Sequence, residues 1–157
     1  MVAFVVQLYA QDPIQLPEIT VVAKNYKYLN QTDSKDATLP VKLLQQKVAN
    51  YDVKSQDFYS ENYDYYTVSF YIPEGKVFAE YDSEGNIIRT IERYKDIALP
   101  KEITSAILKR FPKWTITKDI YLIRYNEKDG SKMKYKIALE NGMERLKVKL
   151  DGAGNFL

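Results

Sequence analysis

The chain contains no histidine and no cysteine. Without these residues it cannot build a Ser/His or Cys/His nucleophile system, and it cannot build a zinc, haem or iron–sulfur site of the usual ligand types. Catalysis would have to rely on carboxylate, lysine, tyrosine or Ser/Thr groups. The sequence shows no recognisable catalytic arrangement of these groups. We therefore expect a protein that is not an enzyme and that uses no cofactor and no metal.

The chain also lacks a strong charge of either sign and a long apolar run. Its 23 Lys and Arg residues and 21 Asp and Glu residues leave a net charge of +2, which predicts no nucleic-acid partner. Its longest apolar stretch, residues 1–10, is far too short to span a bilayer. With 157 residues, 45% of them hydrophobic, the chain can form one domain with a real core, or two small units that share one.

The amino terminus has features of an export signal. Residues 1–10 are uncharged and apolar except for Gln7, and they end in the small residue Ala10. This pattern is typical of the tail of a signal-peptide h-region that is cleaved after Ala10, and the alternative is a short strand or hydrophobic arm. Because no cysteine is available for a lipid anchor, the signal interpretation predicts a soluble periplasmic or secreted protein.

The next segment, residues 11–38, has the composition of a linker. It contains two prolines and one β-prone run, residues 19–23, which we interpret as an edge strand added to the main sheet. Residues 31–36 are polar and predict a loop before the first helix.

A short sequence occurs twice in the chain, as residues 81–87 and again as residues 150–156, each time containing Asp-x-x-Gly-Asn. Each copy lies downstream of a Leu-Pro pair, at residues 39–40 and 99–100. This order predicts a tandem repeat. The repeated motif lacks the alternate oxygen ligands and the distal Glu of an EF-hand-like calcium loop, so we interpret it as a hairpin turn with Gly or Asn at positive φ.

Each predicted repeat combines a short amphipathic helix with an antiparallel meander. The helices begin at Pro40 and Pro100, where the first turn tolerates proline, and apolar residues follow at spacings of three and four. The predicted strands are residues 65–72, 76–81, 87–94, 115–125, 133–139 and 143–150. We expect an α+β fold with repeats over residues 39–95 and 96–157. Each repeat is predicted as a helix on a four-stranded sheet, with one continuous antiparallel sheet and the helices on one face.

This order of features resembles the PepSY-like, β-lactamase-inhibitor-like family of exported Gram-negative proteins. The resemblance is best over residues 78–157, where residues 98–100, Ile107, residues 111–112 and residues 151–156 stand in the family's order. It implies a fold similar to the β-lactamase inhibitory proteins, in which two tandem helix-plus-sheet units form one concave sheet. Those inhibitors carry a disulfide in each repeat, which this chain lacks. No inhibitor contact residue carries over.

The chain contains 14 tyrosines, several of them within residues 58–66. They are interpreted either as half-buried residues of a sheet or as a recognition cluster. Strict alternation in the last two strands places their lysines on the side away from the apolar face. The candidate binding residues on the open face are Tyr65, Thr67, Ser69, Tyr71, Lys134, Lys136, Lys147 and Lys149.

We therefore expect a non-enzymatic exported binding module that uses the open face of its sheet for a protein or cell-envelope partner. The alternative for the lysines is ordinary solvated strand faces that prevent edge-to-edge aggregation. Two other functions are an inhibitor or chaperone of a periplasmic hydrolase, by analogy with PepSY domains in protease propeptides, and a hydrolase that uses paired carboxylates. The carboxylates considered for such a pair are Asp57, Glu61, Asp64 and Glu80.

Overall fold

The computed structural model describes residues 25–32 and 37–157. These residues form three helices and six strands, an α+β fold. The helices are α1 (Tyr26–Thr32), α2 (Leu39–Ala49) and α3 (Lys101–Arg110). The strands are β1 (Tyr65–Ile72), β2 (Gly75–Asp82), β3 (Ile87–Lys95), β4 (Thr115–Asn126), β5 (Gly130–Asn141) and β6 (Glu144–Asp151). The predicted signal remnant over residues 1–10 and the predicted strand over residues 19–23 lie outside the described residues.

The six strands form one open antiparallel sheet in which each strand pairs with the next along the chain. This confirms the predicted continuous antiparallel sheet. The prediction of four strands for each helix is wrong, because α2 precedes three strands and α3 precedes three more. Strands β3 and β4 pair directly, with Arg93 opposite Leu122, so the sheet continues without a gap past α3.

The strand boundaries follow the alternation in the sequence closely. Five of the six strands begin and end within one residue of the predicted positions. The exception is β5, which begins at Gly130, three residues earlier than predicted. Gly130 has a φ of 78° and pairs with Asn126, so the chain re-enters the ladder immediately after the turn.

Helix α1 lies inside the stretch that the sequence predicted as linker, and it includes the first two residues of the predicted 31–36 loop. Seven residues without an apolar stripe do not form a stable helix alone, so its contacts with the rest of the molecule must hold it. Tyr28 is 1% exposed. Just before the helix, the Asn25 side-chain amide donates to Ala49 O at 3.0 Å and its Oδ1 accepts from Ile87 N at 2.7 Å.

The helices and the inward-facing strand residues share one hydrophobic core. The predicted stripe of α2, which comprises Val41, Leu44 and Val48, is buried, and so are Ile103 and Ile107 of α3. The core lies on one face of the sheet, since buried and exposed positions alternate along the strands. In the described part of the chain, no helix is long and apolar enough to cross a membrane.

Tyrosine supplies much of this core. Tyr28, Tyr81, Tyr94 and Tyr121 are among the largest fully buried side chains. Tyr121 stacks on Tyr135, with ring centroids 4.4 Å apart. The abundance of tyrosine therefore reflects, in large part, the packing of the sheet against the helices.

The two Asp-x-x-Gly-Asn segments have the same hydrogen bonds. Asp82 Oδ1 accepts from Asn86 N at 2.8 Å, and the Asn86 side-chain amide donates to Asp82 Oδ2 at 2.9 Å. Asp151 and Asn155 make the equivalent two bonds, both at 2.9 Å. The glycines between them have φ values of 84° and 89°. Both segments are turns with a positive-φ glycine, as predicted.

Candidate binding surface on the open face of the sheet

The eight predicted binding residues are all exposed on the face of the sheet away from the helices, but they form two separate groups. Tyr65, Thr67, Ser69 and Tyr71 lie on the edge strand β1, where the two tyrosines are 63% and 64% exposed. The four lysines lie on β5 and β6. Strands β1 and β5 are four strand spacings apart, about 19 Å, so the structure does not bring the two groups together.

The structure does bring the four lysines together. Lys136 of β5 stands directly opposite Lys149 of β6, and Lys147 stands opposite Ala138. Lys134 is two residues along from Lys136 on the same face. Neighbouring positions in this group are about 5 to 7 Å apart, so four ammonium groups share a small area of sheet.

Five more cationic side chains extend this group across β3, β4 and β5. Lys95 of β3 is aligned with Lys136 of β5 across Ile120 of β4. Arg93 is aligned with Lys134 in the same way, across Leu122. We call the nine exposed lysines and arginines the basic surface. They are Arg93, Lys95, Lys118, Arg124, Lys132, Lys134, Lys136, Lys147 and Lys149.

None of these nine side chains takes part in the ion pairs found in the described chain. Those on the open face are Arg89 with Glu80 at 2.7 Å and Arg145 with Glu140 at 3.3 Å. Asp151 faces Lys134 in the register, but its carboxylate is bound within its own turn. Hydrogen bonds from the Asn155 side chain and the turn backbone hold the pKa of Asp151 below its ordinary value.

The part of the basic surface between β4, β5 and β6 contains an open depression of about 480 Å³. Ile120 and Ala138 provide aliphatic side chains in its lining. Its charged lining residues are Lys118, Lys136, Lys147 and Lys149. An apolar base surrounded by ammonium groups can accept a ligand or protein surface that carries both apolar and acidic groups.

Protection of a sheet edge does not explain most of this charge. Lysines on edge strands prevent pairing with other chains, and this reason applies to Lys147 and Lys149 on β6. Strands β3, β4 and β5 are interior strands with neighbours on both sides, and they carry the other seven cations. Edge protection therefore applies to two of the nine cations.

The open face of β2 and the start of β3, which adjoin the basic surface, are arranged differently. Glu80 binds Arg89, and the Lys76 ammonium lies 4.9 Å from the centre of the Phe78 ring. In this part of the sheet the charged groups have partners within the protein, whereas the basic surface leaves its cations to solvent. Two adjoining regions of one face therefore differ in the charged groups that they expose to a ligand.

The sequence did not identify the most unusual carboxyl group, Glu92 of β3, whose exposure is 0%. Its Oε1 accepts from Tyr28 at 2.8 Å and Thr90 at 3.0 Å. Its Oε2 accepts from Tyr94 at 2.8 Å and the Gln45 amide at 3.0 Å. The cluster joins α1, α2 and β3, and it lies on the helix-covered face, away from the basic surface.

Burial raises the pKa of Glu92, although the four hydrogen bonds favour its charged form. Burial also raises the pKa values of Tyr28 and Tyr94, and the nearby Glu92 adds to both shifts. The two phenols therefore keep their protons and act as donors. Glu92 has no cationic neighbour among its hydrogen-bond partners, and neutral donors alone satisfy its carboxyl oxygens.

The carboxylates considered for hydrolysis lie in two parts of the described chain. Asp57, Glu61 and Asp64 are exposed in the segment between α2 and β1. Glu80 lies on β2 and binds Arg89. Within the described residues, no group of three or more acidic side chains is placed to hold a metal ion.

Comparison of the chain with protein-family models, with curated proteins and with solved structures gives no match. The resemblance to the β-lactamase-inhibitor-like family thus stays a prediction.

Proposed function

We propose that this protein is a non-enzymatic exported binding module whose basic surface engages an acidic protein or cell-envelope partner. The observation that carries the proposal is the presence of nine exposed cations on one face, none of them in an ion pair of the described chain. Export is part of the proposal and rests on the apolar, uncharged sequence of residues 1–10.

The distribution of charge supports this function more strongly than the net charge does. Nine of the 23 basic residues lie on the basic surface, so the net charge of +2 for the whole chain does not describe the local charge of this face. A concentrated cationic face attracts and orients an acidic partner during diffusion. Such a face increases the rate of association and favours acidic partners over others.

The register also supports a binding role. Lys136 and Lys149 are directly opposite one another on neighbouring strands, and like charges in that position destabilise a sheet. An acidic partner removes this repulsion when it binds. The aliphatic surface of Ile120 and Ala138 between the lysines adds an apolar contact.

The non-enzymatic part of the proposal is supported by the state of the acidic groups. Glu92 has the environment of a tuned carboxyl group, but its oxygens already accept four hydrogen bonds and it is inaccessible to solvent. A general acid or base must reach its substrate directly or through one water molecule. We therefore interpret the Glu92 cluster as a structural element.

We infer further that the two halves of the fold are copies of one ancestral unit similar to the β-lactamase inhibitory proteins. The support is the shared order of one helix and three strands, together with the matching hydrogen bonds of the Asp82 and Asp151 turns. The divergence between the copies lies in their open faces, since the basic surface is concentrated in the second half.

Capture from cell-envelope extract with two matched variants tests the binding proposal. The open-face variant carries K134Q, K136Q, K147Q and K149Q. The control variant carries K47Q, K54Q, K101Q and K109Q, which are exposed lysines outside the basic surface. Both lose four positive charges, so they differ only in the location of the change.

We expect the control to retain the captured partner and the open-face variant to bind it about tenfold to a hundredfold more weakly, with most of the remaining affinity lost at high salt. Equal capture by the two variants, or loss in the control alone, would remove the basic surface from the proposal.

A further inference from the structure

The two edges of the sheet differ in how they are protected. At β6 the chain folds back after the Asp151 turn, where Phe156 bridges Leu150 and Leu157 N donates to Lys149 O at 2.9 Å. Exposed charged side chains also alternate along β6. The returning chain and the charged side chains both hinder another strand from pairing with this edge.

Strand β1, at the other edge, has none of these devices. Its eight residues contain no charge and no proline, and its ladder with β2 runs without a bulge from Tyr65 to Ile72. No strand of the described chain pairs with its outer side. A regular, uncharged strand edge of this length is a template for a further strand.

The sequence of β1 indicates which strand fits. Residues at equal distances from Val68 along the strand are chemically alike. The three pairs are Thr67 with Ser69, Tyr66 with Phe70, and Tyr65 with Tyr71. The strand is a chemical palindrome: hydroxyl with hydroxyl, then aromatic with aromatic twice. An antiparallel pair of identical strands with Val68 opposite Val68 would place each of residues 65–71 beside a residue of its own kind.

We propose that two copies of this chain associate through β1, antiparallel and with the two-fold axis at Val68, to form one continuous sheet. The pairing preserves the faces, since Tyr65 and Tyr71 stay on the open side and Tyr66 and Phe70 on the helix side. Aromatic pairs and hydroxyl pairs directly opposite each other are favourable cross-strand contacts. A two-fold interface requires this kind of self-complementarity.

The inference does not depend on the proposed binding function, but it gives a role to the β1 side chains that the basic surface leaves aside. In the dimer the exposed tyrosines lie near the two-fold axis. The two basic surfaces lie toward the far ends of the shared sheet, so a dimer presents the same partner site twice.

Charge substitution at the paired positions tests the register. Thr67 and Ser69 are exposed and face each other across the axis, so T67K/S69K places lysines opposite lysines, whereas T67K/S69E places each lysine opposite a glutamate. Sedimentation equilibrium from about 1 μM to about 1 mM covers the range of weak interfaces. We expect T67K/S69K to weaken the wild-type dimer at least about tenfold and T67K/S69E to restore it.

Cysteine cross-linking provides a second test, which the cysteine-free sequence makes unambiguous. Directly opposite residues have Cα atoms about 4.5 to 5.5 Å apart, within the range of a disulfide. V68C should therefore oxidise readily to a disulfide-linked dimer. T67C should cross-link poorly alone and efficiently when mixed with S69C.

Three results would overturn the inference. The wild-type chain could stay monomeric over the whole concentration range, as it would if another segment of the same chain, such as residues 19–23, covered β1. The dimer could be equally stable in T67K/S69K, which would place the interface elsewhere. Finally, T67C alone could cross-link as fast as V68C, which would exclude the register. Far-ultraviolet circular dichroism of each variant checks that it is folded.

Discussion

Glu92 and Arg93 are consecutive residues of β3 whose side chains point to opposite faces of the sheet, and they differ in burial and in their polar contacts. Glu92 is fully buried and accepts hydrogen bonds from four side chains of α1, α2 and β3. Arg93 is exposed and has no ion pair in the described chain. Under the helices the fold satisfies its polar groups itself, whereas on the open face it leaves cations available to a partner.

Removing the buried carboxyl group of Glu92 should have the largest effect on the stability of the protein. In E92A the hydroxyls of Tyr28, Thr90 and Tyr94 and the Gln45 amide lose their acceptor in a place that water does not reach. We expect the free energy of unfolding to fall by about 3 kcal/mol or more. Urea denaturation followed by circular dichroism measures it.

The matched control is R93A, one residue away on the open face, which should change the stability by no more than about 0.5 kcal/mol. If E92A were as stable as R93A, the hydrogen-bonded cluster would not hold the helices on the sheet, and the contrast between the faces would be lost.

A smaller effect concerns how tightly the open face binds a polyanion. On immobilised heparin, the quadruple open-face lysine variant should elute at clearly lower salt than the quadruple control variant, although the two proteins have the same net charge. The reason is that retention depends on clustered cations more than on the total charge. Elution of both variants at the same salt would mean that the basic surface does not act as a unit.

Measuring stability as a function of pH tests the state of Glu92 while its hydrogen-bond donors stay in place. Burial raises the pKa of Glu92 in the folded state, so the folded protein binds this proton more tightly than the unfolded chain does. Its contribution to stability is full below the ordinary glutamate pKa of about 4.3 and is lost as the pH rises through the folded-state value.

The wild-type protein should therefore lose stability relative to E92Q as the pH rises, and urea denaturation of both proteins over a pH series measures the difference. A constant difference between the two proteins across that series would mean that Glu92 has the same pKa in the folded and unfolded states.

The smallest effect concerns Asp151, the carboxylate that borders the basic surface. Hydrogen bonds in its turn lower its pKa, so its contribution to stability is present above the ordinary aspartate value and is lost as the pH falls through the lower folded-state value. In an NMR titration of the carboxyl carbon, N155A should raise the pKa of Asp151 more than K134Q does. The reverse order would mean that Asp151 neutralises the basic surface.

Much of the sheet could be predicted from the sequence because its signals are local. Alternation along single strands located all six strands, and the spacing of Asp, Gly and Asn identified both turns. Five of the nine cations of the basic surface were not predicted. Arg93, Lys95 and Lys118, for example, join the β5 lysines only through the register of two strand pairs, β3 with β4 and β4 with β5.

The elements that the sequence did not reveal depend on distant contacts. Helix α1 has no apolar periodicity, and tertiary contacts such as the bond from Tyr28 to Glu92 hold it. Glu92 lies on the same face of β3 as Thr90 and Tyr94, which is an ordinary position for a strand residue. Its burial depends on Tyr28 and Gln45, which lie 64 and 47 residues earlier in the chain.

The most direct test of the central claim is a footprint of lysine reactivity with and without cell-envelope extract, in which an amine-specific reagent is read by mass spectrometry. The account predicts that the extract protects the lysines of the basic surface, with Lys134, Lys136 and Lys149 the most protected, while Lys47, Lys54 and Lys101 stay reactive. Protection of the second group, or no protection of either, would contradict it.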